Sequence, residues 1–364
     1  MTAGGTVRGT AAGEPVGDSG NDRPGTDPGR RPDRHGTGDG AVTALRTDLI
    51  AGAVRRGGAP IVLALVLVVG SVLFGDSFAS GRNLGNIALD SSYLVIIAIG
   101  MTFVIISGGI DLSVGSQFAL AGVLAAYSAQ WGSVAAVVVP LAVCALIGLA
   151  NGLLVGRARI APFIVTLATL LFARGLAFAV SREGNTVYII GPELALTRLG
   201  QAQVLGVEAP VLIALLVFAV GLVVLHRTRF GQSVYAIGGS PAGAELMGLP
   251  VARVRVLVYV LSGTLAGLAG VLVAAQTSSG LPTIGEGREL EAIAAVVIGG
   301  TLLTGGAGTL VGTLAGALLL KVIQNVINQV GTLSSYYQQL VSGVFLLVVV
   351  LVQTRLSRRT RTGR

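Results

Sequence analysis

GMTFVIISGGIDLSVGSQFAL, residues Gly100 to Leu120, decides how this chain folds. An apolar run of helix length ends in Gly108–Gly109, a single carboxylate follows at Asp111, and a second apolar run begins at once. An ionisable side chain between two lipid-soluble segments is costly to hold unless it faces a protein interior or a wet cavity. Two glycines just before it let the backbone turn, leave a helix or approach a neighbour closely. Helices broken at membrane depth, with their freed backbone groups buried, recur where a transport path is built. The segment points to a chain that moves something across a membrane.

Composition agrees. Of 364 residues 52% are hydrophobic and only 12% charged, and the mean hydropathy is +0.81. One soluble core cannot hide that much apolar surface. Apolar runs of about 18 residues or more recur, each able to cross about 30 Å of hydrocarbon. The fold class is therefore all-α, a polytopic helical membrane protein. The 54 glycines suit close helix packing. Cys144, the single cysteine, lies in an apolar run and reads as packing.

Residues 1–58 carry eight arginines and seven acidic residues and almost no aliphatic periodicity, which predicts a disordered tail. It is no secretory signal, because the first apolar segment starts too late. About ten spans follow, expected near 59–78, 84–107, 112–129, 131–154, 162–180, 208–226, 254–275, 289–304, 308–328 and 335–354. They make a membrane domain over 59–355, with a basic tail at 356–364. With the amino terminus inside, the inner connections carry Arg157, Arg159, Arg227, Arg229, Arg253 and Arg255, and the tail adds Arg355, Arg358, Arg359, Arg361 and Arg364. Outer connections hold Arg82, Arg182, Arg198 and Arg288 among Asp76, Glu183, Glu193, Glu208 and Glu286. The positive-inside rule then puts both termini in the cytoplasm of a cell membrane. Arginines that, Arg174 apart, sit outside the apolar segments or at their ends also argue against a nucleic-acid partner; the lipid bilayer is the partner they mark.

The outer loop 181–207 has the mixed character of a surface that docks an external partner. The inner loop 227–253 contains Ser240, a possible N-cap, Pro241 in a first turn, and Gly248 as a stop, so a short helix over Pro241–Leu249 is expected. Such a helix outside a bundle needs something to pack against. A glycine-rich acidic patch, GEGRELEAIAAVVIGG (Gly285–Gly300), echoes the Asp111 region. Spans two to five and seven to ten are therefore expected as two pseudo-repeats.

An energy source is missing. ATP hydrolysis by this chain would need a GxxxxGK[ST] loop, and the one lysine, Lys321, sits in GALLLKVIQN. The chain is then no enzyme, and binds no cofactor or metal. It is either a secondary carrier or channel, or the membrane half of a machine with a separate ATPase. Coupled carriers place several ionisable groups within spans. Here the candidates are Asp90, Asp111, Arg174, Glu289, Glu291 and Lys321. Asp90 and Glu289 lie near span ends and Lys321 can snorkel to the surface, which favours the separate ATPase. Asp111 reads as a helix N-cap or a cargo contact, and Glu289 and Glu291 invite the same capping role. Gln324, Asn325, Asn328 and Gln329 form a polar face that glues helices or meets cargo. The residues taken for the path or its gate are Gly108, Gly109, Asp111, Ser113, Glu289 and Asn325.

GMTFVIISGGIDLSVGS, FGQSVYAIGGSPAGAELMGLPVARVRVLVYVLSGTLAGLAGVL and ELEAIAAVVIGGTLLTGGAGTLVGTLAGALLL, in that order, resemble the permease subunits of ribose-type ATP-binding-cassette (ABC) importers. The resemblance covers about residues 60 to 355. It implies an ABC importer permease fold of around ten spans and a second permease chain, most simply an identical one. It also implies a cytoplasmic ATPase that holds ATP and magnesium, and an extracytoplasmic binding protein that delivers a monosaccharide. Residues Gly238–Leu249 would be the coupling helix, with Gly239, Ser240, Pro241, Ala242, Gly243, Ala244, Glu245, Leu246, Met247 and Gly248 meeting the ATPase. Glu245 stands where that family usually has a basic residue. The alternatives are a permease of the same architecture for nucleosides or branched-chain amino acids, and an ion-coupled secondary carrier.

Overall fold

The computed structural model describes residues 59–329 and, beyond them, 340, 343, 344 and 347. The tails 1–58 and 356–364, and the expected tenth span at 335–354 apart from those four positions, lie outside the described residues.

Helix α1 (Ala59–Phe74) is apolar and ends at Gly75, whose φ of +53° breaks it from the single turn α2 (Asp76–Ala79). Ser80 then caps α3 (Gly81–Ile106) by accepting from the Asn83 backbone N–H. At 26 residues α3 is about 39 Å long, and it is buried almost continuously from Ser91 to Ile106. A turn over 107–113 leads into α4 (Val114–Ser128), a short 3-10 turn, and α5 (Ser133–Gly156). Pro162 opens α6 (Pro162–Val180). The expected outer loop folds as α7 (Ala195–Gln201) with short strands around it. Strand β1 (Tyr188–Ile189) pairs antiparallel with β4 (Ser279–Gly280), and β2 (Gln203–Val204) with β3 (Val207–Glu208). The chain continues through α8 (Ala209–Arg227), α9 (Arg229–Gly239), α10 (Pro241–Leu246), α11 (Val251–Thr277), α12 (Arg288–Ile298) and α13 (Leu310–Gln329).

Six described helices, α3, α5, α6, α8, α11 and α13, are long and apolar enough to cross a membrane. Two of the expected spans are cut short. Residues 112–129 yield the 15-residue α4, and residues 289–304 yield the 11-residue α12, about 22 Å and about 16 Å long. Gly299 and Gly300, the latter at φ +90°, end α12 where an unbroken span was expected.

α11 lies at the centre, against α3, α4 and α5. It meets α5 backbone to backbone: a side chain on Gly152 of α5 would fall 2.6 Å from Val256 Cα of α11. Small residues at such a crossing substitute for the hydrophobic drive that lipid does not supply. Outward faces are apolar, with Leu146 on α5, Leu171 and Phe172 on α6, and Leu216 on α8 each at least 60% exposed. An apolar exterior of this extent suits lipid and not water. The chain is a multi-pass membrane protein.

Candidate functional site

The short helix at 241–246 forms for local reasons. Ser240 is extended, and its Oγ accepts from the Gly243 N–H at 3.1 Å while Pro241 takes the first turn. At the other end Gly248 at φ +77° turns the chain back, and the Leu249 N–H reaches the Ala244 carbonyl at 3.0 Å. That leaves two faces. Ala244 is fully buried in the main core, turned inward and away from any partner. Leu246 and Met247, 90% and 69% exposed, stand outward with Pro241, Ala242 and Glu245. Glu245 lies 3.6 Å from Arg159 of the α5–α6 connection, both side chains largely exposed, so the pair adds little stability.

The turn between α3 and α4 is sealed. Gly108 at φ +83° starts it. Asp111 is completely buried, and hydroxyl and backbone donors satisfy both of its oxygens. Oδ1 accepts from the Ser113 N–H at 3.0 Å and from the Ser113 hydroxyl, and Oδ2 accepts from Ser262 Oγ at 2.8 Å. Ser113 Oγ in turn accepts from Gln117 Nε2 at 2.8 Å and Asn151 Nδ2 at 3.1 Å. Thr166 Oγ1 and Tyr259 Oη donate to the Ile110 carbonyl. Donors from α4, α5, α6 and α11 thus hold the turn. Ser113, with no side-chain cap, occupies the N-cap position of α4, and Asp111 braces it from two residues before.

Asparagine can keep all three hydrogen bonds of Asp111, because Ser262 Oγ can accept as well as donate. Alanine leaves the donors unpaired, at about 1–3 kcal/mol for each buried group. Asp111→Ala is therefore expected to lose folded protein in detergent, with Asp111→Asn close to wild type, as read by size-exclusion chromatography and thermal unfolding. Equal losses in both variants would assign Asp111 a role that needs its charge.

The acidic patch opens α12. Gly287 at φ +78° is its N-cap, and Glu289 and Glu291 both lie in its first turn, where a carboxylate meets the positive end of the helix dipole. Glu289 Oε1 is 4.0 Å from Arg174 of α6, and Oε2 is buried without a hydrogen-bond partner. That carboxylate rests on Gly115, in the first turn of α4, where any side chain would collide with it. The first turns of the two shortened helices therefore meet. Glu291 Oε2 pairs with Arg288 and Lys321, each at 3.0 Å, and its Oε1 accepts from Gln324 Nε2 at 3.0 Å. Lys321 also donates to Gln324 Oε1 at 2.8 Å. With its side chain only 7% exposed, Lys321 is an internal partner and does not snorkel. Arg288 lies over the Phe118 ring, 5.9 Å from its centre.

Along α13 the polar face glues helices. Asn325 exchanges hydrogen bonds with Asn83 of α3 at 2.8 and 3.1 Å, and Gln329 Oε1 accepts from Ser77 Oγ at 2.7 Å. The sequence singled out Asp111, Ser113, Glu289 and Asn325. Gln117 lies one helical turn from Ser113, but the other partners Ser262, Asn151, Asn83 and Arg174 lie too far off in the chain for any spacing to reveal, although Arg174 stood out as a charge within a span.

Residues 83–350 match the family described as "Branched-chain amino acid transport system / permease component". The ribose import permease protein of Escherichia coli strain K12 is 42% identical over 299 residues, covering 81% of this chain and 92% of that protein. The ribose import permease protein of Bacillus subtilis strain 168 is 40% identical over 308 residues, 84% of this chain and 95% of its own. The fructose import permease protein of Bifidobacterium longum is 37% identical over 304 residues, 81% of this chain and 89% of its own. No solved structure matches the chain. Family match, relatives and apolar helices agree: the chain belongs to this family of permease components, and is a membrane transporter subunit, not an enzyme.

Proposed function

We propose that this chain is the membrane subunit of an ABC importer that carries a monosaccharide, a ribose-like pentose or a hexose. The observation that carries the reading is its 42% identity to a ribose import permease over 81% of its length. A separate cytoplasmic ATPase binds ATP and magnesium, and an extracytoplasmic sugar-binding protein delivers the cargo. Two permease chains, most simply identical, enclose the path. Each contributes ten spans in two pseudo-repeats across 59–355, with both termini and the tails 1–58 and 356–364 in the cytoplasm.

In this reading α10 is the coupling helix, and Leu246, Met247, Pro241, Ala242 and Glu245 form its contact face. Their exposure supports that role, and Gly239, Ser240, Gly243, Ala244 and Gly248 shape and seat the helix. ATP closes the ATPase dimer, draws the two coupling helices together and opens the path outward; hydrolysis resets it. Gly108 and Gly109 supply the hinge of the α3–α4 turn, and Asp111 and Ser113 pin it. Glu289, with an unpaired buried oxygen where two shortened helices begin, is the group best suited to meet a cargo hydroxyl or water. Asn325 braces α13 against α3.

The family description favours a second reading, a branched-chain amino acid as cargo. Purification of the tagged permease from its native membranes, followed by uptake of radiolabelled ribose or leucine into vesicles, separates the two. Co-purification of an ATPase and a binding protein with ATP-dependent ribose uptake is the expected result. Leucine uptake alone would establish the second reading, and ion-driven transport without an ATPase would overturn both.

A further inference from the structure

Three glycine pairs stand far apart in the sequence: Gly108–Gly109 after α3, Gly238–Gly239 at the end of α9, and Gly305–Gly306 in the 299–309 connection between α12 and α13. The fold gathers Gly108 and both members of the other two pairs at one point. A side chain on Gly305 would fall 3.0 Å from Gly108 Cα and 3.1 Å from the Gly238 oxygen. One on Gly306 would fall 2.9 Å from Gly239 Cα, and one on Gly238 would collide with the Ile106 oxygen. Backbone therefore rests directly on backbone. Gly108, Gly305 and Gly306 also take φ values of +83°, +83° and +75°, which glycine adopts at little cost.

Two hydrogen bonds lock the junction. The Gly306 N–H donates to the Ile106 oxygen at 2.8 Å, and the Tyr235 hydroxyl of α9 donates to the Gly308 oxygen, also at 2.8 Å. Burial raises the Tyr235 phenol above its ordinary pKa, so it keeps the proton it donates. Phe230 of α9 stacks on Phe103 of α3, 6.0 Å between ring centres, which fixes the same helix from its other end.

The junction joins elements of different duty. α9 runs into α10 through Ser240 alone, which caps α10. The 299–309 connection leads to the two helices that hold Glu289, Glu291 and Lys321. Close-packed backbone has no side chains to bend aside, so a shift of α9 must move the connection or open a gap.

We propose that this glycine junction, with Tyr235 as its positioning residue, is the joint that carries movement of α10 into the α12–α13 pair. The proposal rests on the reading of the chain as an importer permease, and it assigns the transmission step to particular residues.

The test uses the full chain with its co-purifying ATPase and binding protein in proteoliposomes. It reads radiolabelled cargo moved per ATP hydrolysed, with ribose or leucine as probe, whichever the wild type takes up. Tyr235→Phe removes one hydroxyl and keeps the ring. It is expected to retain the ATPase and hydrolyse ATP within twofold of wild type, with cargo per ATP at least fivefold lower. Gly305→Ala is expected to lower that ratio at least tenfold. A purely structural role would reduce yield and both rates together and leave the ratio unchanged. A wild-type ratio in Tyr235→Phe overturns the inference while the importer reading stands. A wild-type chain with which no ATPase co-purifies overturns that reading and the inference with it.

Discussion

Leu246→Asp is expected to release the ATPase from the purified permease, lowering its recovery at least tenfold, while the permease stays folded. Leu246 is 90% exposed at the end of α10, so nothing in the chain's own core depends on it. Burying a leucine against a partner contributes about 1.5–3 kcal/mol, which is about tenfold to a hundredfold in affinity. Placing a carboxylate in the same contact adds a desolvation cost. Ala244, in the same helix, is the wrong probe. It is fully buried, and a large charged side chain there would unseat α10 before any docking could be read. Pull-down of the tagged permease measures the first effect, and thermal unfolding in detergent checks the second. Undiminished recovery of the ATPase with Leu246→Asp would remove α10 from the docking surface.

Glu291→Gln is expected to be the most destabilising conservative change in the described helices. It would leave Lys321 buried beside Arg288 without its salt-bridge partner, since both cations pair with the same Glu291 oxygen. Removing one partner of a buried ion pair costs about 3–5 kcal/mol, whereas replacing the whole pair with apolar groups is often neutral. The double variant Glu291→Gln with Lys321→Met is thus expected to regain most of the loss. Thermal unfolding in detergent micelles reads both. If the single variant unfolds within about 0.5 kcal/mol of wild type, the network is no brace between α12 and α13.

Much of the architecture was legible because membrane helices announce themselves by length and apolarity. The spans around α3, α5, α6, α8, α11 and α13 needed only that signal. The α10 helix was equally legible, since Ser240, Pro241 and Gly248 act on backbone within a few residues of themselves. One expected span, 289–304, was overcounted in length for an equally local reason. Hydropathy continues through Gly299 and Gly300, but the backbone does not continue as helix. Lys321 shows a different limit. From sequence a lone lysine in a span is free to snorkel; Gln324 is a helical neighbour three residues on, but only the fold brings Glu291 to it from 30 residues before. Asp111 was visible as an oddity, yet its confinement depends on Ser262, 151 residues away.

Contiguous residues were enough to establish the membrane class, the broken helix at Gly108–Asp111, a short capped helix starting at Pro241 and the lack of a phosphate-binding loop. Each follows from local chemistry: apolar length, backbone conformation, or a motif of contiguous residues. Tertiary packing set which face of α10 points outward, that Asp111 is sealed, that Lys321 is an internal ion-pair partner, and that Gly108 meets the distant pairs Gly238–Gly239 and Gly305–Gly306. Those outcomes depend on which helices become neighbours, and close packing of long helices sets that choice through contacts between residues remote in the chain.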